Sequence, residues 1–273
     1  MTPLTTLAPG KVNLCLFVGE PRADGYHPLV SVFQSVSLAD ELRLEPAPRA
    51  TADEVVCSGV EGPNLAARAL AAYREASGWD GPPVRLTITK RVPIAAGMGG
   101  GSGDAAAALR LAAEAAGRPG DPLLAELALT LGADVPFQLA RGRALVTGIG
   151  EHVEPLPPGP WGALLLLPSP EALSTPAVYR EADRLGSVRA PAALATAEAQ
   201  VRAGAVPAVN DLQAAARSLC PAIGAALAAV SAAGAGDVLV SGSGPTVFGT
   251  FDDIERAEAA ARGLPGTLVV RPL

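Results

Sequence analysis

Cysteine is scarce and odd in number: Cys15, Cys57 and Cys220 lie far apart, and no CxxC pair occurs. That argues against a disulfide framework and for a reducing compartment. With only two histidines in the chain, Cys/His zinc sites are hard to build. Aromatic residues make up 4% of a chain that is 49% hydrophobic, so the core must rest on aliphatic packing. No run of lysine or arginine occurs, and 27 acidic against 21 basic residues give a net charge of −6. A general nucleic-acid footprint is therefore not expected. An anionic ligand would have to be held locally, by helix termini, single lysines and a divalent cation. Long apolar runs are also missing. Trp161 to Leu167 ends at Pro168 and reads as a buried strand, not a membrane span. The N-terminus has no early basic cluster, and Lys11 interrupts its apolar stretch, so it does not read as a signal peptide. The expectation is a cytoplasmic enzyme with no membrane partner.

Glycine is abundant, and its placement is informative. Five glycines fall between Gly97 and Gly103, in the segment Pro93-Ile94-Ala95-Ala96-Gly97-Met98-Gly99-Gly100-Gly101-Ser102-Gly103. Val84 to Ile88 before it reads as a strand, and Ala105 to Ala116 after it as a helix, with Ser102 and Asp104 at the junction. Removing side chains where a backbone must come close, at the positive end of a helix, suits phosphate binding. A flexible linker is the alternative, but linkers rarely run straight into an alanine-rich helix.

The remaining elements follow from pattern. Strands are expected at Val12 to Val18, Leu29 to Val36, Glu41 to Glu45, Ala144 to Thr147, Trp161 to Leu167, Val238 to Val240, Val247 to Thr250 and Leu268 to Arg271. Helices are expected from Pro63-Asn64 to Ala76, and over Leu123 to Leu131, Pro176 to Leu185, Pro191 to Ala203, Asp211 to Leu219, Ile223 to Ala233 and Asp253 to Arg262. Four prolines in Glu154 to Pro160 read as a stiff connection, which divides the chain into domains 1–157 and 158–273. Strands and helices mix in both halves, which favours α+β over a doubly wound sheet.

The common nucleotide signatures fail. Gly10-Lys11 is followed by Val12 and lacks the upstream glycine of a Walker A loop. GxGxxG breaks at Ser102 or Asp104, and no GxSxG, HRD or DFG can be drawn. Three other segments stand out: Ala8-Pro9-Gly10-Lys11-Val12-Asn13, Gly132-Ala133-Asp134-Val135-Pro136 and Ser241-Gly242-Ser243-Gly244-Pro245-Thr246. Alone, each has an ordinary reading as a solvated lysine, a turn-forming aspartate or a glycine turn. Together with the long loop, in this order, they resemble the motifs of the GHMP kinase family. Arg22-Ala23-Asp24-Gly25-Tyr26-His27, Asp134-Val135-Pro136-Phe137, Gly148-Ile149-Gly150-Glu151 and Ser174-Thr175-Pro176 extend the likeness over nearly the whole chain. They point to the branch of the family that phosphorylates a cytidine diphosphate-linked methylerythritol on its 2-hydroxyl, in the non-mevalonate route to isoprenoid precursors.

The resemblance implies a two-domain α+β fold, with an N-terminal α/β domain of ribosomal protein S5-like type and a C-terminal ferredoxin-like domain. It implies ATP and Mg²⁺, a small-molecule substrate, and a monomer or homodimer. Asp134 would take the proton from the attacking hydroxyl, and Lys11 would keep that carboxylate ionised and orient the hydroxyl. Pro93, Ala95, Ala96, Gly97, Met98, Gly99, Gly100, Gly101, Ser102 and Gly103 would hold the phosphates, and Ser102 the metal. Asn64 and Lys90 would lie near adenosine, although Asn64 serves equally well as a helix cap. Tyr26, His27 and Tyr179 would form the cytidine site; their ordinary readings are a packed turn and a core aromatic. Asn13, Thr175, Ser241 and Gly242 would contact the substrate. Position 103 is Gly where many family members have Ser, and position 98 is Met where Leu is usual. The competing readings are a GHMP kinase for homoserine or mevalonate, a nucleotide-binding regulator without chemistry, and a structural α+β protein.

Overall fold

The computed structural model describes residues 2–60 and 64–273, so Pro63 lies outside the described residues. In chain order the elements begin with β1 (Leu4–Val18), β2 (Leu29–Pro46), β3 (Glu54–Cys57), α1 (Leu65–Ser77) and β4 (Val84–Thr89). Then come α2 (Gly100–Ala115), α3 (Leu123–Leu131), α4 (Val135–Ala140), β5 (Arg143–Gly148), β6 (His152–Pro155) and β7 (Ala163–Leu167). The chain ends with α5 (Thr175–Leu185), α6 (Pro191–Arg202), α7 (Gln213–Leu219), α8 (Ala222–Ala232), β8 (Val238–Val240), β9 (Val247–Phe251), α9 (Ile254–Arg262) and β10 (Leu268–Val270). Two compact units alternate along the sequence, and β1, β2 and the glycine loop pass from one to the other after Gly10, Ser37 and Met98.

The first unit holds the segment ending at Gly10 together with Leu38–Val92 and Gly99–Ala140. Its β3 runs parallel to β4, and β4 pairs antiparallel with the C-terminal part of β2, setting Leu42 opposite Ile88 and Leu44 opposite Leu86. Along β4, Val84, Leu86 and Ile88 are buried while Arg85 and Thr89 are exposed, the alternation of a sheet with one covered face. Helices α1 and α2 supply much of the core there, together with Leu124 and Leu131 of α3. Ala105 to Ala108 of α2 are all buried, so this helix is enclosed on every side. Small side chains are what let its neighbours come close. Asn64 caps α1 through its Oδ1, which accepts the Ala66 N–H at 2.8 Å.

The second unit holds Lys11–Ser37, Pro93–Met98 and Arg141–Leu273. The N-terminal part of β2 pairs with β5, and β5 with β6, all antiparallel. A second sheet has the order β10-β7-β9-β8, also antiparallel throughout. Helices α5 to α8 connect β7 to β8, and α9 connects β9 to β10, which is the split βαβ arrangement of a ferredoxin-like domain. Its core packs Leu165, Val240, Val247 and Phe251 against Val178, Ala216, Ile223, Val230 and Ala257 of the helices.

Several boundaries differ from the sequence reading. Leu29–Pro46 is one strand, not two, because Asp40 is satisfied within it: its Oδ1 accepts the N–H groups of Arg91 and Val92 at 2.6 and 2.8 Å. The short strands β3 and β6 and the helix α4 were not expected. Pro136 is tolerated at the second position of α4, where its missing N–H has no helical partner to lose. Helix α2 starts at Gly100, inside the glycine cluster, and not at Ala105. No helix of the described residues is long and apolar enough to cross a membrane.

Burial pushes the Cys15 thiol up to about 11, so at pH 8 roughly a thousandth of it is thiolate. Cys220 is also fully buried, whereas Cys57 is half-exposed. A thiol reagent at pH 8 should modify Cys57 in the native protein and reach Cys15 and Cys220 only on unfolding. Equal rates at all three would contradict this packing.

Candidate active site

Lys11 and Asn13 are two residues apart on β1 and share a face. Both are buried, Lys11 to 4% exposure. The Lys11 ammonium donates to Asn13 Oδ1 at 2.8 Å and to the Gly97 carbonyl at 3.2 Å, and lies 4.8 Å from the centre of the Phe33 ring. Asn13 Nδ2 donates to Ser31 Oγ at 3.0 Å, fixing which way the amide faces. The Lys11 N–H donates to the Met98 carbonyl at 2.9 Å, tying the start of this strand segment to the loop.

Gly97 has a φ of 73°, in the left-handed region, and a Cβ there would collide with the carbonyl oxygens of Ser241 and Gly244. Only glycine fits. Ser241 Oγ donates to the same Gly97 carbonyl at 3.0 Å. Gly242 has a φ of 57°, and a Cβ there would lie 3.1 Å from Asn13 Oδ1 and 3.4 Å from Lys11 Nζ. Lys11, Asn13, Gly97, Ser241 and Gly242, noted separately in the sequence, therefore converge in the second unit.

The loop then enters α2. Gly99 is left-handed, with φ 65°, and the first helical bond runs from the Gly103 N–H to the Gly99 carbonyl at 2.8 Å. The N–H groups of Gly100, Gly101 and Ser102 precede that bond, where a helix leaves its donors without helical partners. The aligned peptide dipoles add roughly half a positive charge at this end. Beside Gly101 there is open space, while a Cβ at Gly103 would come within 3.2 Å of the Pro9 carbonyl oxygen. A side chain at 103 would therefore need its neighbours to give by a few tenths of an ångström. Met98 and Ala96 are buried and Ile94 is exposed, while Ala95 takes a φ of 54°, a strained conformation for alanine.

Lys90 sits in an ion cluster. Its ammonium lies 2.5 Å from Asp40 Oδ2 and 2.8 Å from Asp104 Oδ2. It also sits beside the helix start, 3.3 Å from where a Gly100 Cβ would be. Burial pushes the Asp104 carboxyl up to about 7, against the pull of Lys90. Asp40 and Asp104 carried no signal in the sequence beyond lying near strand and helix boundaries. Asn64 serves as a cap, as its ordinary reading had it, and it also lines a cleft of about 350 Å³ with Asp53, Val55, Ala67, Leu70 and Ala71. Asp134 is half-buried at the start of α4, where its carbonyl accepts the Gln138 N–H at 3.1 Å.

His27 is buried, and its Nδ1 lies 2.8 Å from the Gly19 carbonyl. A carbonyl only accepts, so Nδ1 carries the hydrogen. Its Nε2 is 3.4 Å from Asp183 Oδ2. The ring packs on Tyr179 with centroids 5.1 Å apart and planes tilted by 44°. Tyr26 is 61% exposed. Thr175, at the start of α5, has its hydroxyl 2.9 Å from Ser243 Oγ, a partner that the sequence showed only as part of a glycine turn.

Two family matches cover most of this chain: the GHMP kinases N terminal domain over residues 64–142 and the GHMP kinases C terminal domain over residues 186–269. The chain belongs to the GHMP kinase family. A 4-diphosphocytidyl-2-C-methyl-D-erythritol kinase of Kineococcus radiotolerans is 44% identical to it, over 97% of this chain and 85% of the relative. One from Streptomyces coelicolor is 45% identical over 94% and 91%. A crystal structure of a 4-(cytidine 5'-diphospho)-2C-methyl-D-erythritol kinase superposes with a TM-score of 0.80 at 38% identity, covering 98% of this chain and 99% of that one. A mevalonate kinase from Methanococcus jannaschii reaches 0.73 at 10% identity, a likeness of fold alone.

Two outcomes follow for this kinase. Gly97→Ala should lower unfolding free energy by on the order of 1–3 kcal/mol in denaturant titration and abolish turnover. Wild-type stability with full turnover would show that the close approach at Gly97 is dispensable. For Asp104, a folded pKa raised from 3.8 to about 7 makes a contribution to stability that is complete below about pH 4 and lost as pH rises through 7. The stability of the wild type relative to Asp104→Asn should therefore decline between pH 4 and 7. A flat difference would contradict the burial of that carboxyl.

Proposed function

We propose that the chain transfers the γ-phosphoryl group of ATP to the 2-hydroxyl of 4-diphosphocytidyl-2-C-methyl-D-erythritol, a step of non-mevalonate isoprenoid precursor synthesis. The observation that carries the reading is the 44% identity, over nearly the full chain, to an enzyme named for that substrate. The convergence of Lys11, Asn13, Gly97 and Gly242 supports it. A bond forms between the acceptor oxygen and the γ-phosphorus as the bond to the β,γ-bridging oxygen breaks. ADP departs, and the hydroxyl proton goes to Asp134. Lys11 orients the acceptor oxygen and offsets charge that develops on the transferred group. The amides of Gly100, Gly101 and Ser102 hold the phosphate oxygens, with Pro93, Ala95, Ala96, Gly97, Met98, Gly99 and Gly103 shaping the loop.

Mg²⁺ is a hard cation that needs oxygen ligands and, when bound, neutralises phosphate charge. The half-buried Ser102 hydroxyl, at the helix start, would be an oxygen ligand for it. Adenosine fits the cleft beside Asn64, and Lys90 acts from its place next to Gly100. Cytosine is read at Tyr26, His27 and Tyr179, and Asn13, Thr175, Ser241 and Gly242 contact the rest of the substrate.

The domain division at 157/158 falls between the two family matches. A cytoplasmic monomer or homodimer without a nucleic-acid partner accords with three free cysteines and a charge of −6.

ATP consumption should depend on the cytidine compound and not on mevalonate or homoserine. The reverse preference would overturn the reading. Asp134→Asn should lower kcat by about 10²–10⁴-fold, while ATP still raises the melting temperature. Full activity in that variant would remove Asp134 as the base.

A further inference from the structure

Asn210 lies outside every motif singled out in the sequence, yet it is 8% exposed and almost saturated with hydrogen bonds. Its Nδ2 donates to the Val240 and Gly242 carbonyls, both at 2.8 Å, so one amide holds the carbonyls of both residues flanking Ser241. Its Oδ1 accepts the Leu212 N–H at 2.9 Å. The backbone flanking it pairs with β1 as a parallel bridge: the Leu16 N–H donates to the Val209 carbonyl at 2.7 Å, and the Asp211 N–H donates to the Leu16 carbonyl at 2.9 Å. Asp211 extends the grip, accepting the Val18 N–H at 3.0 Å and Arg189 Nε and Nη2 at 2.6 and 2.9 Å.

This short segment is thus inserted between the strand that carries Lys11 and Asn13 and the turn that carries Ser241 and Gly242. Gly242 lies directly against this pair: a Cβ there would be 3.1 Å from Asn13 Oδ1 and 3.4 Å from Lys11 Nζ. A free turn of this kind, with two glycines at positive φ, has many conformations available. We infer that Asn210 is a positioning residue for phosphotransfer: it fixes the Ser241-Gly242 turn against the Lys11–Asn13 pair without touching substrate. The inference rests on the proposed function.

The test compares Asn210 variants with a control that loses a side-chain bond to the same strand. Asn210→Ser keeps an oxygen for the Leu212 N–H but cannot reach both carbonyls, and Asn210→Asp keeps the shape without the two donated bonds. Gln213→Ala is the control, because Gln213 Oε1 accepts the Val240 N–H at 3.0 Å and so braces the same strand without touching the turn. The melting temperature of each variant and its kcat and KM for both substrates are measured well below the melting transition. The two Asn210 variants should lose 10- to 100-fold in kcat, with the KM for ATP within about threefold of wild type. Gln213→Ala should lose comparable thermal stability and keep kcat within about threefold. Equal kcat losses in all three variants, scaling with melting temperature, would make Asn210 merely structural and overturn the inference. Should one Asn210 variant fail to fold, the other gives the same comparison. An inactive wild type would instead sink the proposed function, which keeps the two failures distinct.

Discussion

The arrangement turns on one peptide, Gly97. Its left-handed backbone is pressed against the Ser241–Gly244 turn so closely that no side chain can be accommodated, and its carbonyl receives both the Lys11 ammonium and the Ser241 hydroxyl. A buried ammonium is costly unless its hydrogens meet acceptors. Here a main-chain carbonyl and the Asn13 amide oxygen meet that need without introducing a counter-charge at those two contacts. An ammonium in this place is suited to stabilising phosphoryl charge.

The glycine loop has a second task at its other end. Between Gly97 and Gly103 it stops being a packed element and becomes the first turn of a helix, exposing the amides of Gly100 to Ser102 where the helix dipole is positive. The Lys90 cluster lies immediately beside this turn. Lys90 precedes the loop and Asp104 follows it, so their ion pair closes the loop at its neck, and Asp40 anchors Arg91 and Val92 through their N–H groups. Buried charges of this kind are worth little as net stabilisation, but breaking one partner is costly.

Much of this was legible in the sequence. Short apolar runs located β4 and the strands of the ferredoxin-like sheet, and residues at their ends located α1, α3 and α9 nearly to the residue. What failed did so for identifiable reasons. Glycine's poor helix propensity hid the first turn of α2, which is helical because it is packed against Lys90 and Val92. Asp40 read as a strand break because aspartate is depleted from strands, yet its carboxylate is fully used here. Pro136 hid α4. At the site, Lys11, Asn13, Gly97, Ser241 and Gly242 were visible as motifs, but Asn210 and the partners of Asp104 and Ser243 were not. Their contributions depend on partners 14 to 68 residues away, which spacing along the chain does not reveal.

The most direct test of the central claim is a crystal structure with the cytidine diphosphate-linked substrate bound. The account predicts cytosine against His27 and Tyr179, and the acceptor hydroxyl within about 3 Å of Lys11 Nζ. A substrate whose hydroxyl lies far from Lys11, with that ammonium still held by Gly97 and Asn13, would contradict it.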